Sequence, residues 1–336
     1  MKIPESGRYV LVLVDGLGWE ILVRACIEAP YLSEILGDAL TLEVGTPSTT
    51  CASLMSLWTG VSTGTHGVLG FSFETGLKSD RSRGVTTPLS ITKPLDTAPS
   101  YLDRLMDAGV CVSSVIPTEH VDSGLTRMST TKASVIGIDL ERQDSRISSI
   151  VAASRCGEKS VVYVYEPRLD HAGHGHGVAS KTWIQALRDI DDFLENLRSS
   201  LDDDVCLLIT GDHGMIDIAR ENRIYIDSQS TLTQDLRLVG GEARFRHLYT
   251  HQPLAVQTRW TRYLGDEAQV LTREEAVSLG LFGEVRPEYL SRIGDVVVIP
   301  TGGQAYLCNK FPGEFSLVGF HGGLTSVEKM VPLLID

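Results

Sequence analysis

Long apolar runs are missing from this chain. No stretch approaches the 18 or more apolar residues of a membrane-spanning helix, so no membrane partner is expected. Positive charge is scarce: 30 Lys and Arg face 43 Asp and Glu, a net charge of −13. A protein that grips a nucleic-acid polymer needs a basic face, which this balance argues against. Cysteine is sparse as well. Cys26, Cys51, Cys111, Cys156, Cys206 and Cys308 are scattered without a C-x-x-C pair, which predicts reduced thiols and a cytoplasmic protein. The first 18 residues lack a small-residue cleavage site and read as an opening strand that ends in Asp15, not a signal peptide.

What is present is a folded chain's composition. Of the 336 residues, 42% are hydrophobic and 22% charged, enough apolar side chains for a large core and too few charges for a disordered polymer. Apolar runs at 8–14, 110–116, 161–165 and 205–210 alternate with helical patterns at 18–28, 100–108 and 182–197. Uniformly apolar strands are covered on both faces, so the alternation predicts an α/β fold with a mostly parallel central sheet and helices on both sides. Residues 217–310 read differently, beginning with a Gly240-Gly241 hairpin over 236–245. They are expected to form an inserted cap on a core of 1–216 and 311–336. Residues 72–98, rich in Ser, Thr, Gly and Pro, read as an excursion loop over a sheet edge.

Several polar residues sit where such a fold places chemistry. Asp15 ends the first strand, and ligands in open α/β sheets bind beyond the carboxyl ends of strands. Gly16 and Gly18 alone make a weak dinucleotide fingerprint; a metal-binding carboxylate fits better. Pro47 and Ser48 are read as ending a strand, and Thr49 or Thr50 opens an apolar helix running to Trp58, where a hydroxyl serves either as a helix cap or, beside a cation and a helix dipole, as a nucleophile. Cys51, beside them, reads as a packing residue. Asp170, His171, His174 and His176 lie among glycines, read here as a flexible metal-binding loop at a strand end. Asp212-His213 ends another strand, and His321 lies between Phe320 and Gly322 near the carboxyl terminus. Together they suit two divalent ions with mixed nitrogen and oxygen ligands. Two such ions turn three clustered carboxylates into a site for an anionic phosphoryl group.

In order, Asp15-Gly16, Pro47-Ser48-Thr49-Thr50, Thr59-Gly60, His66-Gly67, Asp170-x-x-Gly173-His174-x-x-Gly177, Asp212-His213-Gly214-Met215 and His321-Gly322 resemble the alkaline phosphatase superfamily, in its nucleotide pyrophosphatase/phosphodiesterase branch. The resemblance implies that family's three-layer sandwich. It implies that Asp15, Asp212 and His213 hold one zinc together with the Thr50 oxygen, and that Asp170, His174 and His321 hold the other. Thr50 would be the nucleophile, and two displacements would pass through a phospho- or nucleotidyl-threonine. Ser53 stands at a family position for phosphoryl-oxygen binding, and Arg168 is a second candidate phosphate contact. The expected substrate is a small anionic, nucleotide-like phosphodiester or pyrophosphate. Sulfatases are excluded because Cys51-Ala52-Ser53-Leu54-Met55 lacks the C-x-P-x-R motif. Phosphonoacetate-type C–P hydrolysis, a phosphate monoesterase and a metal-binding protein without turnover are the alternatives. Trp19, Phe71 and Phe73 are candidates to stack on a base.

Overall fold

The computed structural model describes residues 3–74, 85–90, 98–129 and 132–336. In chain order its strands are β1 (Arg8–Val14), β2 (Leu40–Glu43), β3 (Cys111–Pro117), β4 (Ser134–Ile138), β5 (Ser160–Glu166), β6 (Val205–Thr210), β7 (Ile216–Asp217) and β8 (Arg223–Tyr225). They continue with β9 (Leu236–Glu242), β10 (Phe245–Thr250), β11 (Ala268–Thr272), β12 (Val296–Pro300), β13 (Ala305–Leu307), β14 (Gly319–Phe320) and β15 (Met330–Ile335).

The apolar runs become a seven-stranded sheet in the order β2-β15-β6-β1-β5-β3-β4. Every pairing from β6 to β4 is parallel, and β15 runs antiparallel to both β6 and β2. Alternate side chains of β1 leave by opposite faces, as strand geometry requires. Val10, Val12 and Val14 join a core with Leu187, Ile190, Leu194 and Leu197 of the helix Lys181–Ser200. Leu13 packs instead in a core with Leu54, Met55 and Trp58 of the helix Thr50–Thr59. With both faces covered, the chain is the expected three-layer α/β sandwich. Among the described residues, no helix is long and apolar enough to cross a membrane.

The stretch between β8 and β13 builds a second sheet, antiparallel throughout, in the order β11-β12-β10-β9. Its hairpin is present, but the turn falls at Ala243-Arg244, since Glu242 pairs with Phe245 and Gly241 with Arg246. The two glycines lie inside β9 because backbone crowds them: a Cβ on Gly241 would stand 2.0 Å from the Phe245 carbonyl oxygen. The hairpin's Arg244 is anchored to the short helix Ser326–Lys329, which leads into β15, by a buried ion pair, with its Nη2 2.6 Å from Glu328 Oε2.

Three other expectations change. Residues 168–176 form a helix, Arg168–His176, not a loop. A glycine inside a helix costs about 1 kcal/mol relative to alanine, but packing outweighs it. Leu169, Ala172 and Gly173 are buried, and a Cβ on Gly173 would lie 2.4 Å from Met215 Sδ. Second, Cys111 and Cys156 form a disulfide across 45 residues. It joins the start of β3 to the turn after the helix Gln143–Ser154, a meeting that spacing could not show. The expectation that all six thiols are reduced is corrected for this pair, while Cys26, Cys51, Cys206 and Cys308 are free thiols. Third, the strand before the nucleophile segment ends at Glu43, and Ser48 makes only an isolated bridge to Gly322. The 72–98 excursion falls largely outside the described residues.

Candidate active site

Three adjacent strands, β6, β1 and β5, deliver the carboxylates. Leu13 is the register partner of Thr210, so Asp15 and Asp212, each two residues further on, emerge side by side. The helix that follows β5 carries Asp170 and His174 one turn apart, on one face. Gly16 makes the approach possible: its φ is +77°, and a Cβ there would stand 3.1 Å from the Asp170 Cα. His321 arrives by a different route. It follows β14, which pairs antiparallel with β7, the strand just beyond Asp212-His213. The Ser48–Gly322 bridge then holds the segment before Thr50 against it.

Two triads of ligand atoms result, each within 4.8 Å among themselves: Asp15, Asp212 and His213, and Asp170, His174 and His321. Within the first, His213 Nε2 lies 3.3 Å from Asp15 Oδ1 and 3.5 Å from Asp212 Oδ2. In the second, His174 Nε2 lies 3.4 Å from Asp170 Oδ1. The rings of His213 and His321 stack at 3.7 Å between centroids, which joins the triads into one centre. Thr50 opens its helix beside the first triad, with Oγ1 3.2 Å from His213 Nε2 and 3.5 Å from Asp15 Oδ1. Thr49 is the cap residue, its carbonyl taken by the amides of Ala52 and Ser53, which leaves the amides ahead of them for an anion.

The surrounding hydrogen bonds orient the ligands. The Nδ1 atoms of His174, His213 and His321 lie 2.8, 3.0 and 3.0 Å from the carbonyls of Gly319, Gly214 and Ser48. A proton on Nδ1 turns a bare Nε2 toward the centre in each ring, the arrangement that metal-ligating histidines adopt. Gly16 N–H donates to Asp212 Oδ1 at 3.1 Å, and the Tyr165 hydroxyl donates to Asp15 Oδ2.

These residues fit a pair of divalent cations. Asp170 Oδ1 and Asp212 Oδ2 are buried without a hydrogen-bond partner, a costly state unless a cation meets them. The ionisation equilibria conflict in the same way. Burial and then Asp15 push Asp212 up to about 7, and the same two causes raise Asp170 well above the carboxylate range. Burial opposes the charge on His213, but Asp212 and Asp15 outweigh it and raise the ring to about 10. Burial lowers both His174 and His321. Burial would raise Asp15 too, but its contacts with His213 overcome that and hold it, alone of the three carboxylates, below its ordinary value. Cations between the triads reverse the repulsion.

Other candidates fall elsewhere. Ser53 lines a separate cavity between its helix and the sheet, with Ser56, Thr210 and Asp212, and not the cavity that holds Thr50. Arg168 is held in an ion pair with Glu166, whose other partner is Arg146, and lines a groove on the far side of His120. His171 and His176 point outward and are exposed. Phe73 is fully buried, while Phe71 lines the cavity at Thr50. Trp19 does not line it. The Cys51 thiol is pushed up by burial and is no nucleophile. Sequence reasoning missed Tyr165, one residue before the end of β5, although strand alternation turns it to the face of β5 opposite Val164.

Residues 9–324 match the type I phosphodiesterase / nucleotide pyrophosphatase family. The chain belongs to that family, within the alkaline phosphatase superfamily, and its members are metallo-hydrolases of phosphoester bonds. No curated protein sequence matches it. Among solved structures, an inactive variant of murine ectonucleotide pyrophosphatase/phosphodiesterase 5 in complex with AMP superposes with TM-score 0.78 at 17% identity, over 97% of this chain and 87% of that one. The human counterpart gives 0.72 at 17% identity over 98% and 87%. Phosphonoacetate hydrolase from Sinorhizobium meliloti 1021 in complex with phosphonoacetate gives 0.74 at 18%, over 100% and 91%. At these identities the likeness is one of fold.

Proposed function

We propose that this protein hydrolyses a phosphodiester or pyrophosphate bond in a small nucleotide-like anion, with Thr50 as the nucleophile. The observation that carries the reading is the Thr50 hydroxyl at the helix start, 3.2 Å from His213 of one carboxylate–histidine triad and facing a second. Asp15, Asp212 and His213 would hold one divalent ion with Thr50, and Asp170, His174 and His321 the other. Mixed imidazole and carboxylate donors suit zinc. Bound there, the two ions would supply Lewis acidity to the phosphoryl group and to the attacking hydroxyl.

The chain's own residues do the rest. Asp15 and His213 fix Thr50 Oγ1 in place. The first helical turn offers amides to the phosphoryl oxygens. In the first displacement the Oγ1–P bond forms, the Thr50 proton is lost to water, and the bond to the leaving oxygen breaks. In the second, the oxygen of a water bonds to phosphorus as the water gives up a proton, the Oγ1–P bond breaks with its electron pair left on Thr50 Oγ1, and that oxygen takes a proton back. The test pairs elemental metal analysis with turnover of the nitrophenyl ester of thymidine 5′-monophosphate. The expected result is two zinc ions per chain and metal-dependent turnover. Thr50→Ala should keep the metal and lose activity by at least about a thousandfold, the scale of losing a nucleophile. Full activity in metal-free protein, or in Thr50→Ala, refutes the reading. Release of phosphate from phosphonoacetate without turnover of the diester would favour C–P hydrolysis.

A further inference from the structure

Two cavities flank the centre and share Phe71, His174 and His321 as a common wall. One holds Thr50, Asp15 and Asp170. The other, about 430 Å³, touches the centre only through His174 and His321, the imidazoles of the second triad. A group displaced by Thr50 departs on the side away from its hydroxyl, and of the two cavities this second one is the one that Thr50 does not line. Its walls are Phe71, Phe311, Phe320 and Leu317.

The charges in that cavity are not balanced in the obvious way. Glu314 is neutralised by the buried Arg246. Glu242 also lines the cavity, but both of its carboxylate oxygens are buried away from solvent without a hydrogen-bond partner. Burial also pushes its carboxyl up to about 7, against a weaker pull from Thr49. Lys310 remains. It lines the cavity, is exposed, and no ion pair or side-chain hydrogen bond holds its ammonium among the described residues. In a chain of net charge −13, where most cations near the centre are paired, a lysine left free at this position is available to an anion.

Resting on the hydrolase reading above, we propose that this cavity is the leaving-group subsite and that Lys310 selects a leaving group with a negative charge of its own, as the second phosphate of a pyrophosphate has. When the Thr50 Oγ1–phosphorus bond forms and the Thr50 proton passes to water, the bridging P–O bond breaks and its electron pair stays on the departing oxygen. A departing phosphate monoester thus gains a charge within reach of Lys310, whereas a departing alcohol or phenol brings no second anionic group.

The test compares two thymidine 5′-phosphoryl substrates, the nitrophenyl ester and the symmetrical dithymidine pyrophosphate, in wild type, Lys310→Ala, Lys310→Glu and Lys310→Arg. The expected result is that the kcat/KM ratio of pyrophosphate to nitrophenyl ester falls about tenfold in Lys310→Ala, the scale of one charge-assisted hydrogen bond. It should fall further in Lys310→Glu and recover in Lys310→Arg. Equal effects on both substrates, or none, overturn the subsite and leave the hydrolase reading standing. If wild type turns over neither, calorimetric binding of dithymidine pyrophosphate decides. Binding weakened in Lys310→Ala keeps the anion subsite while the hydrolase reading falls, and binding that ignores Lys310 overturns both.

Discussion

The two triads are chemically alike and structurally unequal. In the first, the side chains of Asp15, Asp212 and His213 are 4%, 0% and 0% exposed. In the second, Asp170 and His174 are 17% and 23% exposed. The first hangs from the ends of two neighbouring strands at the middle of the main sheet. The second is assembled from a helix and from a short strand that returns after the second sheet. The sealed triad, beside the nucleophile, is built so that its geometry does not change. The half-open one faces both cavities, where groups must arrive and depart. Rigidity is placed where the attacking atom is aimed, and access where ligands exchange.

Breaking the first triad should therefore cost most. Asp212→Asn removes a buried charge that no neighbour can replace. Metal analysis should show the first ion lost, and kcat/KM should fall by more than the roughly hundredfold that removing an outer hydrogen-bond partner can cost. Retention of two ions with near-normal turnover would dissolve the distinction between the triads. His174→Ala should do less. The protein should carry one ion at low zinc, with affinity for the second reduced about ten- to a hundredfold, and excess zinc should restore part of the activity because the open site admits water as a substitute ligand. Failure of excess zinc to restore any turnover would show that the second triad is as exacting as the first.

The same inequality explains what could be read before folding. The ends of β1 and β6 were legible because a continuous apolar run that stops at Asp15 or Asp212 announces both a buried strand and its carboxyl edge. The resemblance supplied the grouping of Asp170, His174 and His321, but the helix beneath the first two was not legible: its glycines argue against a helix until Met215 is seen to occupy the space a side chain would need. Spacing likewise hid the Cys111–Cys156 bond, since nothing local couples the start of a strand to the end of a helix 45 residues away. Ser53 and Arg168 show how motif position and packing can part company. Both are polar and near the right motif, yet a helical turn carries Ser53 to another cavity, and Glu166 holds Arg168 away from the centre. Position along the chain says which strand end a residue serves, and only packing says which way it faces.

A smaller effect sharpens the comparison further. Each histidine is braced by a backbone carbonyl, which no side-chain substitution can remove, but Asp15 is braced by the Tyr165 hydroxyl. That bond occupies Oδ2 and leaves Oδ1 directed at His213 and Thr50. Tyr165→Phe deletes one oxygen and keeps the ring that lines the cavity. Asp15 would keep its charge and its contact with His213 but could rotate. Zinc affinity of the first triad should weaken about tenfold, the lower end of what losing an outer partner costs, with a smaller change in kcat at saturating metal. A competition titration against a chromogenic chelator measures it. If Tyr165→Phe binds zinc as tightly as wild type, the rigidity of the sealed triad comes from the strands alone, and its advantage over the open one lies in burial, not in hydrogen bonding.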